Sequence, residues 1–115
     1  MKLTVHRGAR EVGGSCVEFA SKSARILMDI GLPLNCSADL RGSDAHELKK
    51  SGVLLDIKGL YREEEPSFDA VFLSHSHPDH YGLLPYINPE IPVYASAGSI
   101  ELINLSGYFL GKAIV

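Results

Sequence analysis

Apolar and polar positions along these 115 residues alternate in short runs, which predicts short strands first and helices later. Lys2 to His6 reads as a first strand and Gly8 to Gly14 as a turn. Cys16-Val17-Glu18-Phe19-Ala20 alternates with a period of two, the mark of a second strand, and Ser21-Lys22-Ser23 supplies a short hairpin connection. Arg25 to Asp29 and Ala70 to Leu73 are apolar on both faces, as in strands of a sheet covered on both sides. Beyond Leu73 the period lengthens. Asp79 to Ile87 reads as a short helix ended by Asn88-Pro89, and Pro92 to Ala95 as a fifth strand. Ala97 to Phe109 reads as a helix with Ile100, Ile103, Leu105 and Leu110 among its buried candidates. Strand–helix–strand–helix from residue 70 onward predicts an α/β arrangement.

Leu34 to Pro66 is the least patterned segment. Ala45 to Lys50 reads as a short helix and Arg62-Glu63-Glu64-Glu65-Pro66 as a charged connector. The segment is longer than an ordinary loop, which leaves two readings open: a lid or recognition insertion beside a site, or a solvated surface excursion. No internal repeat or low-complexity stretch interrupts the chain.

Chemistry concentrates where the fourth predicted strand ends. Ser74-His75-Ser76-His77-Pro78-Asp79-His80 holds four candidate metal ligands within six residues: His75, His77, Asp79 and His80. In an extended segment, residues two apart point the same way and sit about 6.5 Å apart, so His75 and His77 can reach one ion. Pro78 fixes the backbone and forces a turn before Asp79, which aims Asp79 and His80 at a neighbouring point. Two imidazoles for one ion and an Asp–His pair for a second is the natural division, and neither set completes a tetrahedral site. The competing reading is a solvated polar turn, or one that merely caps the next helix through Ser76 or Asp79.

Composition narrows the setting without changing that picture. With 45% hydrophobic and 22% charged residues the chain can bury a modest core, and a net charge of −3 gives no independent support for nucleic-acid binding. Cys16 and Cys36 are too far apart for a CxxC motif and read as reduced, structural cysteines of a cytoplasmic protein. No secretory leader is expected from Met1 to His6, and no apolar run approaches the roughly 20 residues that span a bilayer. His6, His46 and the trio Glu63-Glu64-Glu65 read as structural or solvated rather than as ligands.

His75-x-His77-x-Asp79-His80 after an apolar strand resembles the signature of the metallo-β-lactamase superfamily of metal-dependent hydrolases. Arg25 to Gly31 resembles an earlier strand of that fold, ending in an Asp and a Gly near the site. Glu11-Val12-Gly13-Gly14-Ser15-Cys16 is similar to the glycine turn that opens its second strand. Taken with Asp29-Ile30-Gly31-Leu32-Pro33 and His80-Tyr81-Gly82-Leu83-Leu84-Pro85, these residues are similar to the branch containing the β-CASP nucleases. The resemblance implies the first half of an αββα sandwich, a mixed sheet with helices on one face. It also implies two Zn2+ ions, Mn2+ or Fe being alternatives, with His75 and His77 on the first ion and Asp79 and His80 on the second. Asp79 would additionally orient the nucleophile, and the implied substrate is a phosphodiester in RNA, another ester or a thioester being the competitor.

Asp29 stands apart from these ligands. A carboxylate ending an apolar strand is costly unless it finds donors or a cation. The resemblance places it just behind the ligand loop, holding that loop or a ligand histidine; a turn residue accepting local backbone bonds is the other reading. Gly13, Gly14 and Gly31 are explained by backbone freedom and form no phosphate-binding pattern.

The family supplies a His, a bridging Asp and another His downstream, whereas this chain has neither His nor Asp after His80. Two expectations from different classes follow. One is the metal-binding half of a hydrolase, inactive alone. The other is a self-associating assembly module, with or without a domain swap, a homo-oligomer with no membrane partner, because half of a two-sheet sandwich leaves an apolar face or edge uncovered.

Overall fold

A computed structural model of the chain describes residues 1–11, 13–33, 45–74 and 76–109, excepting the side chains of Asp79 and of 106–109. Five strands form one sheet in the order β1-β2-β3-β4-β5: β1 Lys2–Arg7, β2 Cys16–Ala20, β3 Arg25–Met28, β4 Ala70–Phe72 and β5 Val93–Tyr94. The first three pair antiparallel; β3, β4 and β5 run parallel, so the sheet is mixed. The hairpin between β2 and β3 closes on Ser21, whose N–H donates to Ala24 O at 2.8 Å while its Oγ accepts the N–H groups of Ser23 and Ala24. Serine completes such turns with its own side chain.

Register divides the sheet into two unlike faces. Glu18, Leu27, Val71 and Val93 lie across one face. Leu27 and Val71 are fully buried there, in a core shared with Leu48 of α1 (Ala45–Lys50), Tyr81 of α2 (Pro78–Tyr81) and Ile103 of α3 (Ala97–Phe109). The described helices thus bury into a core on one side of the sheet. The other face carries two apolar rungs, Leu3-Phe19-Ile26-Ala70 and Val5-Val17-Met28-Phe72-Tyr94. Leu3, Val5, Phe72 and Tyr94 are exposed there, and the rings of Phe72 and Tyr94 stack at 5.2 Å.

This corrects the expectation that β3 and β4 are covered on both sides. Apolar residues on both faces report what a strand is able to bury; among the described residues only one cover is present.

Two further expectations change. The helix read over Asp79 to Ile87 is two pieces, α2 and a 3-10 turn Leu84–Tyr86. Leu83 N–H is diverted to Ile30 O at 3.1 Å, and a proline at residue 85 would clash with the carbonyl four residues back in a continuous helix. On α3, capped by Ser96 Oγ accepting Ser99 N–H at 3.1 Å, Ile103 is fully buried but Leu105 is half exposed. Leu110 and Cys36 lie outside the described residues. In the described part of the 34–66 connection, Leu48, Leu54, Ile57, Leu60 and Tyr61 are core residues, so that stretch is packed rather than a solvated excursion.

Candidate metal centre

β3 ends because Asp29 adopts a φ of 65°, in the left-handed region that non-glycine residues seldom enter. Its N–H still donates to Phe72 O at 2.8 Å, a last link to β4. Beyond it, residues 30–32 run beside α2. Ile30 N–H donates to His80 O, Leu83 N–H to Ile30 O, and Leu32 N–H to Pro78 O, all at 3.0–3.1 Å. Gly82 makes the approach close, since a Cβ there would stand 2.6 Å from both Leu32 Cβ and Pro78 O.

The Asp29 carboxylate lies at the centre of this junction, with the residue only 4% exposed. Oδ1 accepts the Ser74 N–H at 2.7 Å, and Oδ2 accepts the Ser74 hydroxyl at 2.6 Å. Oδ2 also stands 2.8 Å from His80 Nδ1. A carboxylate at that depth costs several kcal/mol without donors. Here the donors come from residues 45 and 51 positions further along the chain rather than from the local backbone. With Nδ1 donating to the carboxylate, the imidazole tautomer and ring orientation are set, and ligand chemistry falls to Nε2. Metal-binding histidines are commonly oriented in this way.

The other candidates fall as follows. His77 is exposed and extended (φ −95°, ψ 144°), as a residue before proline prefers, and its carbonyl accepts His80 N–H at 2.9 Å. It occupies the N-cap position of α2, with Pro78 in the first turn and no side-chain cap bond. Asp79 belongs to α2 by its backbone, its side chain lying outside the described set, as does all of His75. Among the described residues no three His, Cys, Asp or Glu side chains gather around one point. Those at the turn are His77, His80 and, behind His80, Asp29.

Cys16 is fully buried and its thiol is pushed up to about 12, chiefly by that burial, so it is neither thiolate nor nucleophile near neutrality. His6 pairs with Glu18 at 2.9 Å, and His46 is exposed on α1. Spacing alone assigned no role to Ser74 or Arg7. A serine beside a histidine cluster is too common to single out, and the backbone groups that Arg7 holds are scattered through the chain.

The comparisons with known proteins agree with this architecture. No protein-family model matches the chain. The transcription termination factor FttA of Methanothermobacter thermautotrophicus is 34% identical over 107 residues, which is 90% of this chain and 15% of that protein. An RNase J-like protein of Methanocaldococcus jannaschii is 30% identical across 73% of this chain and 15% of its own length. Integrator complex subunit 11 of Gallus gallus is 28% identical across 82% and 15%. The chain therefore spans about 15% of the length of these relatives. A crystal structure of a protein of unknown function from Enterococcus faecalis superposes with a TM-score of 0.78 at 29% identity, over 93% of this chain and 28% of that one. Over the stretch it shares with these relatives, the chain belongs to the metallo-β-lactamase superfamily, in the branch that contains the β-CASP nucleases.

Proposed function

We propose that the turn after β4 is part of the metal centre of a hydrolase that cleaves a phosphodiester, with RNA as the substrate class. The observation that carries this is the Asp29–His80 contact of 2.8 Å at a buried carboxylate, together with Ser74 on the same oxygens. The donor set suits a divalent cation, because an imidazole held through Nδ1 by a carboxylate is a stronger and better-aimed Nε2 ligand. His75 and His77 would hold one ion, and Asp79 and His80 the other. Asp79 would also orient the attacking water, while Asp29, 2.8 Å from His80 Nδ1, keeps the proton there in place. A bound cation supplies Lewis acidity, polarising a phosphoryl oxygen and making water a better nucleophile at neutral pH. Nitrogen-rich donors favour Zn2+, with Mn2+ or Fe as alternatives. RNA as the substrate is supported by the names of relatives, which include a transcription termination factor and an RNase J-like protein. Other esters and thioesters are the competing substrates within the same chemistry.

Calorimetric titration of Zn2+ into the 115-residue chain at neutral pH tests the ligand assignment. Binding is expected in the wild type and is expected to vanish in a His75→Ala, His77→Ala double variant. Undiminished affinity in that variant sinks the assignment.

The open apolar face supports a second reading, that the chain by itself is a self-associating module. Leu3, Val5, Phe72 and Tyr94 share that face and are exposed on it. The occupant in this reading is a second copy of the chain.

A further inference from the structure

The ligand residues leave unexplained a cation held on the far side of the turn. Arg7, the last residue of β1, donates Nε–H to Gly14 O at 2.9 Å. Its Nη1 donates to Val53 O at 2.9 Å and Gly52 O at 3.3 Å, and its Nη2 to Gly31 O at 2.9 Å. One guanidinium thus joins the glycine turn before β2, the segment after β3 and the segment after α1.

The Gly31 contact is the one that reaches the candidate metal turn. Gly31 C=O and Leu32 N–H belong to a single planar peptide unit. That Leu32 N–H donates to Pro78 O, in the first turn of α2, at 3.0 Å. A rigid amide is therefore held at its oxygen by Arg7 and at its nitrogen by the helix that carries His80. A cation on the oxygen also polarises the amide and strengthens the bond its N–H makes. The neighbouring units brace the same strip: Gly31 N–H donates to Ser15 O at 3.0 Å, and Gly14 N–H to Leu32 O at 3.1 Å. Gly14 is what admits the guanidinium. Its φ is 68°, and a Cβ there would stand 2.6 Å from Arg7 Nε.

We propose that Arg7 is a positioning residue for the metal turn. Acting through the Gly31–Leu32 peptide, it sets where Pro78 sits, and hence where His77 and His80 present their imidazoles. This rests on the metal reading given above.

Co2+ is the probe, because its visible absorption reports ligand geometry as well as affinity. The 115-residue chain, Arg7→Met, Arg7→Lys and Arg25→Met are titrated with Co2+ well below their melting temperatures. Arg25 is the control: it holds Glu18, Ser67 Oγ and Lys58 O, none of which is among the four carbonyls that Arg7 holds. Arg7→Met is expected to weaken Co2+ binding by roughly 10–100-fold, the usual effect of removing an outer support, and to shift the absorption bands. Arg7→Lys is expected to change both in the same direction and less. Arg25→Met is expected to lower the melting temperature while leaving affinity and spectrum unchanged. A folded Arg7→Met with wild-type affinity and bands overturns the proposal, as does an equal loss in Arg25→Met. Should Arg7→Met yield no folded protein, Arg7→Lys decides: one ammonium cannot hold four carbonyls, so wild-type values there overturn the proposal too. A wild-type chain that takes up no Co2+ overturns the metal reading, and Arg7's role with it, before any substitution is made.

Discussion

Asp29 combines two demands at one α-carbon. Its left-handed backbone stops β3, and its carboxylate accepts from Ser74 and His80. Asparagine tolerates the same backbone region, so Asp29→Asn isolates the charge from the turn. The amide keeps one acceptor oxygen but turns an NH2 toward groups that also donate. A stability loss of about 1–3 kcal/mol is expected, read from the urea midpoint at unchanged slope. Zn2+ affinity should fall by roughly 10–100-fold in the same variant. An unmoved midpoint would mean that these bonds are not made in solution. The residue itself was conspicuous in the sequence, as an acid ending an apolar strand. Its partners were not, because nothing local links position 29 to positions 74 and 80.

At the scale of elements, Glu18 ties three strands together. His6 Nε2 stands 2.9 Å from its Oε1, and Arg25 Nε donates to its Oε2 at 2.7 Å. The Arg25 guanidinium also stacks 3.9 Å above the Phe68 ring. The hydrogen bond from Arg25 holds the Glu18 carboxyl below its usual 4.5; partial burial opposes this and His6 assists it. A depressed carboxylate stabilises the fold above its unfolded value, and that contribution is lost as pH falls through the lower folded value. The melting temperature of the wild type should therefore fall more steeply below about pH 4.5 than that of Glu18→Gln. Parallel curves for the two proteins would exclude Glu18 as a source of acid sensitivity. Two helices have the bounds read from the sequence: α3, marked by its apolar spacing, spans Ala97–Phe109, and the short α1 spans Ala45–Lys50. The helix over 79–87 is broken both locally, by Pro85, and at long range, by Ile30, which draws the Leu83 N–H out of the helical ladder; only the first of these is legible along the chain.

For the whole molecule, the unlike faces of the sheet matter most. One face looks into the core shared with the described helices and connections, while the other leaves Leu3, Val5, Phe72 and Tyr94 exposed along two apolar rungs. Covering such a patch lowers the free energy by roughly 25 cal/mol per Å² of apolar surface removed from water. The chain alone is expected to self-associate as its concentration rises. Phe72→Lys, which places a charge beside the stacked Tyr94, should shift the mass measured by light scattering toward the monomer. A wild-type chain that stays monodisperse and monomeric at high concentration would end the assembly reading. Strand pattern announced that β3 and β4 could bury both faces; it had no means of saying which face finds a cover.

Period-two and helical spacing, glycine and proline punctuation, and a dense run of imidazoles are local properties. The chain by itself therefore determined five strands, their approximate bounds, a terminal helix and the turn where metal chemistry is proposed. Tertiary structure alone decided that Asp29 meets His80 and Ser74, that Arg7 holds the Gly31 carbonyl, and that only one face of the sheet is covered by described residues. Those outcomes need groups far apart in sequence to meet in three dimensions. The free energy of a buried charge depends on which donors arrive there, and no periodicity along a chain encodes that.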